Sequence, residues 1–159
     1  MTNPRLQVFS ETLRATASRL QSAVDRIEAL SNGSPDLDAD QQDALILNLE
    51  RAAWAALELG NAWVYELRLG VPRKPTDVFE LIHSHQGWID PEQTRKLRYL
   101  AEYRHLSSRD PAGLDWNYLL GDLGPDLALF REWEKIAYRS RDTSMTTRSA
   151  DLPGSPRSR

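Results

Sequence analysis

"ALILNLERAAWAALELGNAWVYEL", residues 44–67, decides how this chain folds. Apolar residues fall on more than one face of a helix drawn through it. That pattern marks a helix central to a bundle or shared between subunits. Ala52, Ala53, Ala55, Ala56 and Gly60 permit close approach of neighbouring backbones, and Trp54 and Trp63 are expected to fill the gaps between them. The helix is predicted from about Asp40 to Leu69, roughly 45 Å at ~1.5 Å per residue. Asp38 and Gln41 have the spacing of a capping box ahead of it. Gly70 is the expected C′ residue, and Pro72 cannot continue the helix.

Working outward, the rest of the chain reads as helices with short punctuation. Leu6, Phe9, Leu13, Thr16, Ala17, Leu20, Val24 and Ile27 recur at spacings of three and four, one sustained stripe on a first helix. Asn-Gly and Ser-Pro at residues 32–35 break it. After the central helix, Thr76 and Asp77 sit where an N-cap belongs, ahead of a short helix that Gly87 closes. Asp90, Pro91 and Gln93 then open a fourth helix, expected to reach about Ser107. "DPAG" at 110–113 interrupts, and a fifth helix is expected from Leu114, kinked at Gly124-Pro125. No period-two pattern appears. The fold class is therefore all-α, an up-and-down bundle of about five helices over residues 1–138. Residues 139–159, rich in Ser, Thr, Arg and Pro, are expected to form a disordered basic tail.

Composition narrows the chemistry. The chain has 159 residues and no cysteine, which excludes disulfides, thiolate catalysis and thiolate metal sites. No metal site and no cofactor are expected. His83 and His85, two apart, point to different sides of a helix and make a poor ligand pair. No Gly-rich phosphate loop is present. "MTNPRLQVFSETLR" lacks the basic start and apolar run of a signal peptide, and no stretch approaches ~18 apolar residues. A cytoplasmic protein without membrane contact is expected. The net charge of −3 is uneven: five arginines against two aspartates give residues 139–159 a charge of +3, leaving −6 elsewhere. Within that acidic body, Arg95, Lys96, Arg98, Arg104 and Arg109 face Glu102 alone, a local +4. Such a cluster attracts phosphates, although cations also suit the C-terminal end of a helix dipole. Arg95, Lys96 and Arg109 are the candidate RNA or phosphate contacts.

The order of elements over residues 40–136 resembles the HepT-like proteins of the HEPN superfamily. The long helix "ERAAWAALELGNAWVYELRLGVPRKPTDVFELI" is followed by Gly87 and Ile89, then by "LRYLAEYRHL", "GLDWNYLL" and "LGPDLALFREW". The resemblance implies a helical homodimer acting as a metal-independent ribonuclease toxin. It also implies pairing with an MntA-like nucleotidyltransferase antitoxin, which adenylylates a motif tyrosine. In that family an aromatic residue precedes an Arg-Asn step, a His follows five residues after the Arg, and a Tyr two later. Attack by a ribose 2′-hydroxyl on its phosphate needs a proton acceptor, which His supplies. It also needs a cation on the phosphate oxygens, which Arg supplies.

Tyr103 and Arg104 match the aromatic and the Arg, but His105 replaces the Asn, Arg109 stands at the His position and Pro111 at the Tyr position. Arginine stays protonated and cannot act as the base. A second register remains: Arg98 and His105 are two α-helical turns apart, so Arg98, Arg104 and His105 are the candidate catalytic set. Two readings follow. One is a ribonuclease with a rearranged site. The other is a catalytically inactive dimer that binds a nucleotidyltransferase partner, or RNA, without cleavage. A homodimer is expected from the doubly apolar central helix as well.

Overall fold

The computed structural model describes residues 3–31, 36–108 and 113–150, with side chains as far as residue 142. Among them are six α-helices and no strand: α1 (Pro4–Ser31), α2 (Ala39–Leu67), α3 (Asp77–Gln86), α4 (Pro91–Ala101), α5 (Trp116–Gly121) and α6 (Leu123–Ala150). A 3₁₀ segment, Glu102–Ser108, continues directly from α4. The turn-forming residues 32–35 and the break at 109–112 lie outside the described residues. No described helix is long and apolar enough to cross a membrane.

Helix α2 is the centre, as its double apolar face requires. It packs against α1, α3, α4, the 3₁₀ segment and α6. Asp38 caps it as a capping box, its carboxylate accepting from the Gln41 N–H at 2.8 Å while Gln41 reciprocates at 3.0 Å. Helix α1 buries Leu13, Thr16, Ala17, Leu20, Val24 and Ile27 from the expected stripe, with Ala23 added. Trp63 on α2 and Trp133 on α6 are fully buried and hold the two helices together reciprocally. The Trp63 indole donates to the Ala137 carbonyl at 3.1 Å, and the Trp133 indole to the Ala56 carbonyl at 3.0 Å. Phe9 and Trp88 meet the Trp63 ring edge-on at 5.0 and 5.1 Å. Gly60 admits α3: a Cβ built there would stand 2.7 Å from Val78 Cγ2.

Several elements depart from expectation. Helix α2 ends at Leu67, and Arg68, not Gly70, takes the left-handed cap at φ 55°. The Leu69 N–H then reaches back to the Val64 carbonyl at 3.0 Å, which closes the helix end. Thr76 caps α3 without a side-chain bond; the Asp77 carboxylate accepts from the Lys74 N–H at 3.0 Å instead. Gly124-Pro125 is no kink. Helix α5 stops at Gly121 and α6 starts afresh at Leu123, so Pro125 falls in a first turn, where its missing N–H has no helical partner to lose. Helix α6 also runs to Ala150, past the expected start of a disordered tail at 139. The Arg141 guanidinium donates to Ser10 Oγ on α1 at 3.1 Å, a contact that favours continued helix. Residues 151–159 lie outside the described residues. Finally Trp54, expected between backbones, is 51% exposed on the outer face of α2.

Candidate functional site

The basic cluster begins where Asp90 caps α4, accepting from the Gln93 N–H at 2.7 Å with Gln93 reciprocating at 3.0 Å. Leu97, Leu100 and Ala101 face the core, which leaves Arg95, Lys96 and Arg98 on the other sides. Arg95 is exposed. Arg98 is drawn towards Asp77 of α3, with Nη2 at 3.7 Å from Oδ1. Arg95 and Arg98 also line a small cavity of about 230 Å³ with Glu80, His83 and Thr94.

Lys96 has a different role from the one its charge suggests. Its ammonium lies 2.9 Å from Oδ1 of Asp126, a wholly buried carboxylate in the first turn of α6. Tyr103 donates its hydroxyl to Oδ2 of the same residue at 3.2 Å. Burial pushes the Asp126 carboxyl up, against the opposing pull of Lys96 and Tyr103. Lys96 is held above the usual lysine value by its bond to Asp126. Burial, with the Asp126 charge added, drives the Tyr103 phenol far upward. Tyr99 extends the group, its ring edge-on to Tyr103 at 5.6 Å and under the Lys96 ammonium at 5.3 Å. The exposed Tyr118 hydroxyl is raised by its hydrogen bond to Tyr99. Sequence reading missed this group. The available signal was Asp126 itself, a charge set on the apolar stripe of Leu123, Leu127 and Phe130.

The motif residues stand on the 3₁₀ segment. Leu100, Tyr103 and Leu106 recur strictly every third position, and all three are buried. A 3₁₀ turn stacks residues three apart directly in line, whereas an α-helix offsets them by about 60°. The Ser107 N–H donates to Glu50 Oε1 of α2 at 2.6 Å and fixes the segment there. This geometry alters the angle between the candidate pair. On a continuous α-helix Arg98 and His105 would differ by about 20° around the axis. The tighter winding, ~120° per residue from Glu102 onward, carries His105 roughly 80° round and past that position, leaving the two about 60° apart. Arg104 shows only 9% of its side chain; its Nη1 donates to the Ala101 carbonyl at 2.8 Å and approaches Glu102 Oε1 at 3.4 Å. His105 is exposed. Arg109 and Pro111 lie outside the described residues. The structure therefore places Arg98 beside α3, Arg104 against its own helix end and His105 towards solvent.

The sequence matches the family described as "Ribonuclease HepT-like" over residues 15–132, well over half of the chain. The chain belongs to the HepT-like family. None of the curated proteins matches it. Among solved structures, a toxin–antitoxin complex with AMP-PNP is similar at 20% identity and TM-score 0.72, over 79% of this chain and 96% of that one. The tri-AMPylated Shewanella oneidensis HEPN toxin in complex with its MNT antitoxin gives 21% and 0.71, over 79% and 95%. A mutant of the MntA–HpeT toxin–antitoxin pair gives 21% and 0.70, over 79% and 96%. At these identities the likeness establishes a shared fold. This HepT-like chain has the helical architecture of those structures.

Proposed function

We propose that this chain is the HepT-type component of a toxin–antitoxin pair, a homodimer that binds an MntA-like nucleotidyltransferase and does not cleave RNA. The observation that carries the second half is the state of the motif. Arg104 is engaged with the Ala101 carbonyl, and an arginine stands where the family places its base. A permanently protonated side chain at position 109 accepts no proton from a ribose hydroxyl. Proline at 111 also removes the tyrosine that an antitoxin of this type would modify, so partnership here rests on binding rather than on that modification. The solved toxin–antitoxin complexes of the same fold support the choice of partner. The apolar end of the α1–α2 groove, with Val8 and Tyr65 exposed, supports self-association, since a second copy would cover it.

A second reading keeps a ribonuclease. The exposed His105 ring is accessible to a second copy, whose arginines would replace the displaced Arg98. Cleavage of labelled RNA by the purified dimer, in EDTA, separates the two. The expected result is no cleavage, together with co-purification of a nucleotidyltransferase encoded beside it. Metal-independent cutting that both His105→Ala and Arg104→Ala abolish would establish the ribonuclease instead.

A further inference from the structure

Between α1 and α2 lies a groove of about 370 Å³ that none of the described motif residues lines. Its lining includes Arg19 and Arg26 from α1, and Asn48, Arg51 and Trp54 from α2, with no carboxylate among the lining residues. The groove is thus a concentrated positive site on a chain of net charge −3. Arg19 is already held, its Nη2 2.6 Å from Glu58 at the edge of the groove. Arg26 and Arg51 are different. Among the described residues neither has an ion-pair or hydrogen-bond partner, and both are exposed. Trp54 presents half its surface beside them. Asn48 is 94% buried (6% exposed). Its amide N–H donates to the Ala44 carbonyl at 2.8 Å, while its Oδ1 has no partner.

These groups are complementary to a single chemical unit. Two unpaired guanidinium groups suit a phosphate, because each offers a planar fork of donors to its oxygens. An exposed indole beside them offers a face on which a base stacks. The unmet Asn48 acceptor calls for a donor such as a ribose hydroxyl or an exocyclic amine, reached once the side chains above it move. The volume lies within the usual range for a small-molecule site, about 300–1,000 Å³. We propose that the α1–α2 groove binds a nucleoside phosphate, with the base on Trp54 and the phosphate on Arg26 and Arg51. The unit comes either from a free nucleotide or from one residue of single-stranded RNA. This site goes beyond the partner binding proposed above and stands whether or not the chain cuts RNA. Trp54 lies about 16 Å along α2 from Tyr65, at ~1.5 Å per residue, so the basic section is distinct from the apolar end of the same groove.

The test is anisotropy titration of the full chain with a fluorescein-labelled oligoribonucleotide and, separately, with a fluorescently labelled AMP. Wild type is compared with Arg26→Ala/Arg51→Ala, Arg26→Lys/Arg51→Lys and Trp54→Ala, each checked for native circular dichroism. Loss of tenfold or more in affinity is expected for the double alanine variant and for Trp54→Ala, with partial retention in the lysine pair. With the oligonucleotide, the double alanine variant should also flatten the log–log salt slope by about 0.7, the value for one phosphate contact on a single strand. Binding confined to the oligonucleotide identifies RNA as the source; binding of AMP that unlabelled AMP displaces identifies a free nucleotide. No binding of either probe by wild type overturns the site. So does binding that Arg95→Glu removes while the groove variants leave it intact. Conversion of dimer to monomer by Trp54→Ala with unchanged probe affinity also overturns it, because Trp54 would then serve a second copy of the chain. The cleavage and co-purification assays above are read independently of these titrations.

Discussion

Lys96 Nζ lies 2.9 Å from Oδ1 of Asp126, whose side chain has no exposed surface. The ion pair joins α4 to α6 and places a nominal phosphate contact in a structural role. Removing the cation while leaving a buried carboxylate costs far more than losing an exposed pair. Lys96→Met should destabilise the fold by about 3 kcal/mol in urea titration. Adding Asp126→Asn should recover most of that loss, since the second change removes the stranded charge. A cost below ~1 kcal/mol for Lys96→Met, the range of a surface pair, would show that the ammonium does not support the fold.

The same group sets an alkaline limit. Tyr103 is raised above its ordinary 10.0 by burial, and Lys96 above 10.5 by its bond to Asp126. Between the unfolded and folded values the native state holds protons that the unfolded chain has lost, so stability falls as pH rises. Full stabilisation from these two groups is present below about pH 10 and is lost above it, at up to ~1.4 kcal/mol per pH unit per proton. Asp126, also raised, has the same sign: its ionisation costs stability as pH rises, so it does not promote acid unfolding. Melting temperatures between pH 8 and 11.5 should fall steeply for wild type and less steeply for Tyr103→Phe. Equal slopes would mean that Tyr103 does not titrate with unfolding.

Gly60 makes a steric prediction. A Cβ there would stand 2.7 Å from Val78 Cγ2 and 3.3 Å from Val78 Cβ, and neither atom is the free end of a flexible chain. Alanine favours an isolated helix by about 1 kcal/mol over glycine. Overpacking opposes it at about 1–3 kcal/mol. Gly60→Ala should therefore lower stability by about 1 kcal/mol, and Gly60→Ala/Val78→Ala should relieve the clash while opening space beside it. A melting temperature raised by Gly60→Ala alone would show that α3 moves aside freely.

What the sequence disclosed was local. The capping boxes at Asp38–Gln41 and Asp90–Gln93 and the turn at Gly87 involve residues within four positions of one another, and each formed as read. The 3₁₀ segment was not legible, because the Ser107 N–H that fixes it is held by Glu50, 57 residues away. Its winding then turned His105 to about 60° from Arg98, which is itself drawn towards Asp77 of α3. Lys96 carried a charge that suited a phosphate, but its partner Asp126 lies 30 residues later on another helix. Arg104 was located by motif register, whereas its turn back to the Ala101 carbonyl depends on how α4 ends. Trp54 and Trp63 had equal claims to the interior; only the packing of α6 against one side of α2 separates them.

The length of α6 yields a final prediction. A boundary at 138 would place the Ala137 carbonyl, which accepts the buried Trp63 indole at 3.1 Å, at a chain end. Terminal turns fray because their last carbonyls lack helical donors, so that acceptor would lose its fixed position. The same cut removes Arg141, whose guanidinium reaches Ser10 on α1 at 3.1 Å. Truncation after Tyr138 should cost about 2 kcal/mol, roughly a 4–8 °C fall in melting temperature for a chain of this size. Truncation after Ala150 retains both contacts and should leave the melting temperature near that of wild type. If both truncations melt together, the helix beyond Tyr138 adds nothing to the bundle. If only the shorter one falls, the folded unit extends past residue 138, and the Trp63–Ala137 bond is what the extension protects.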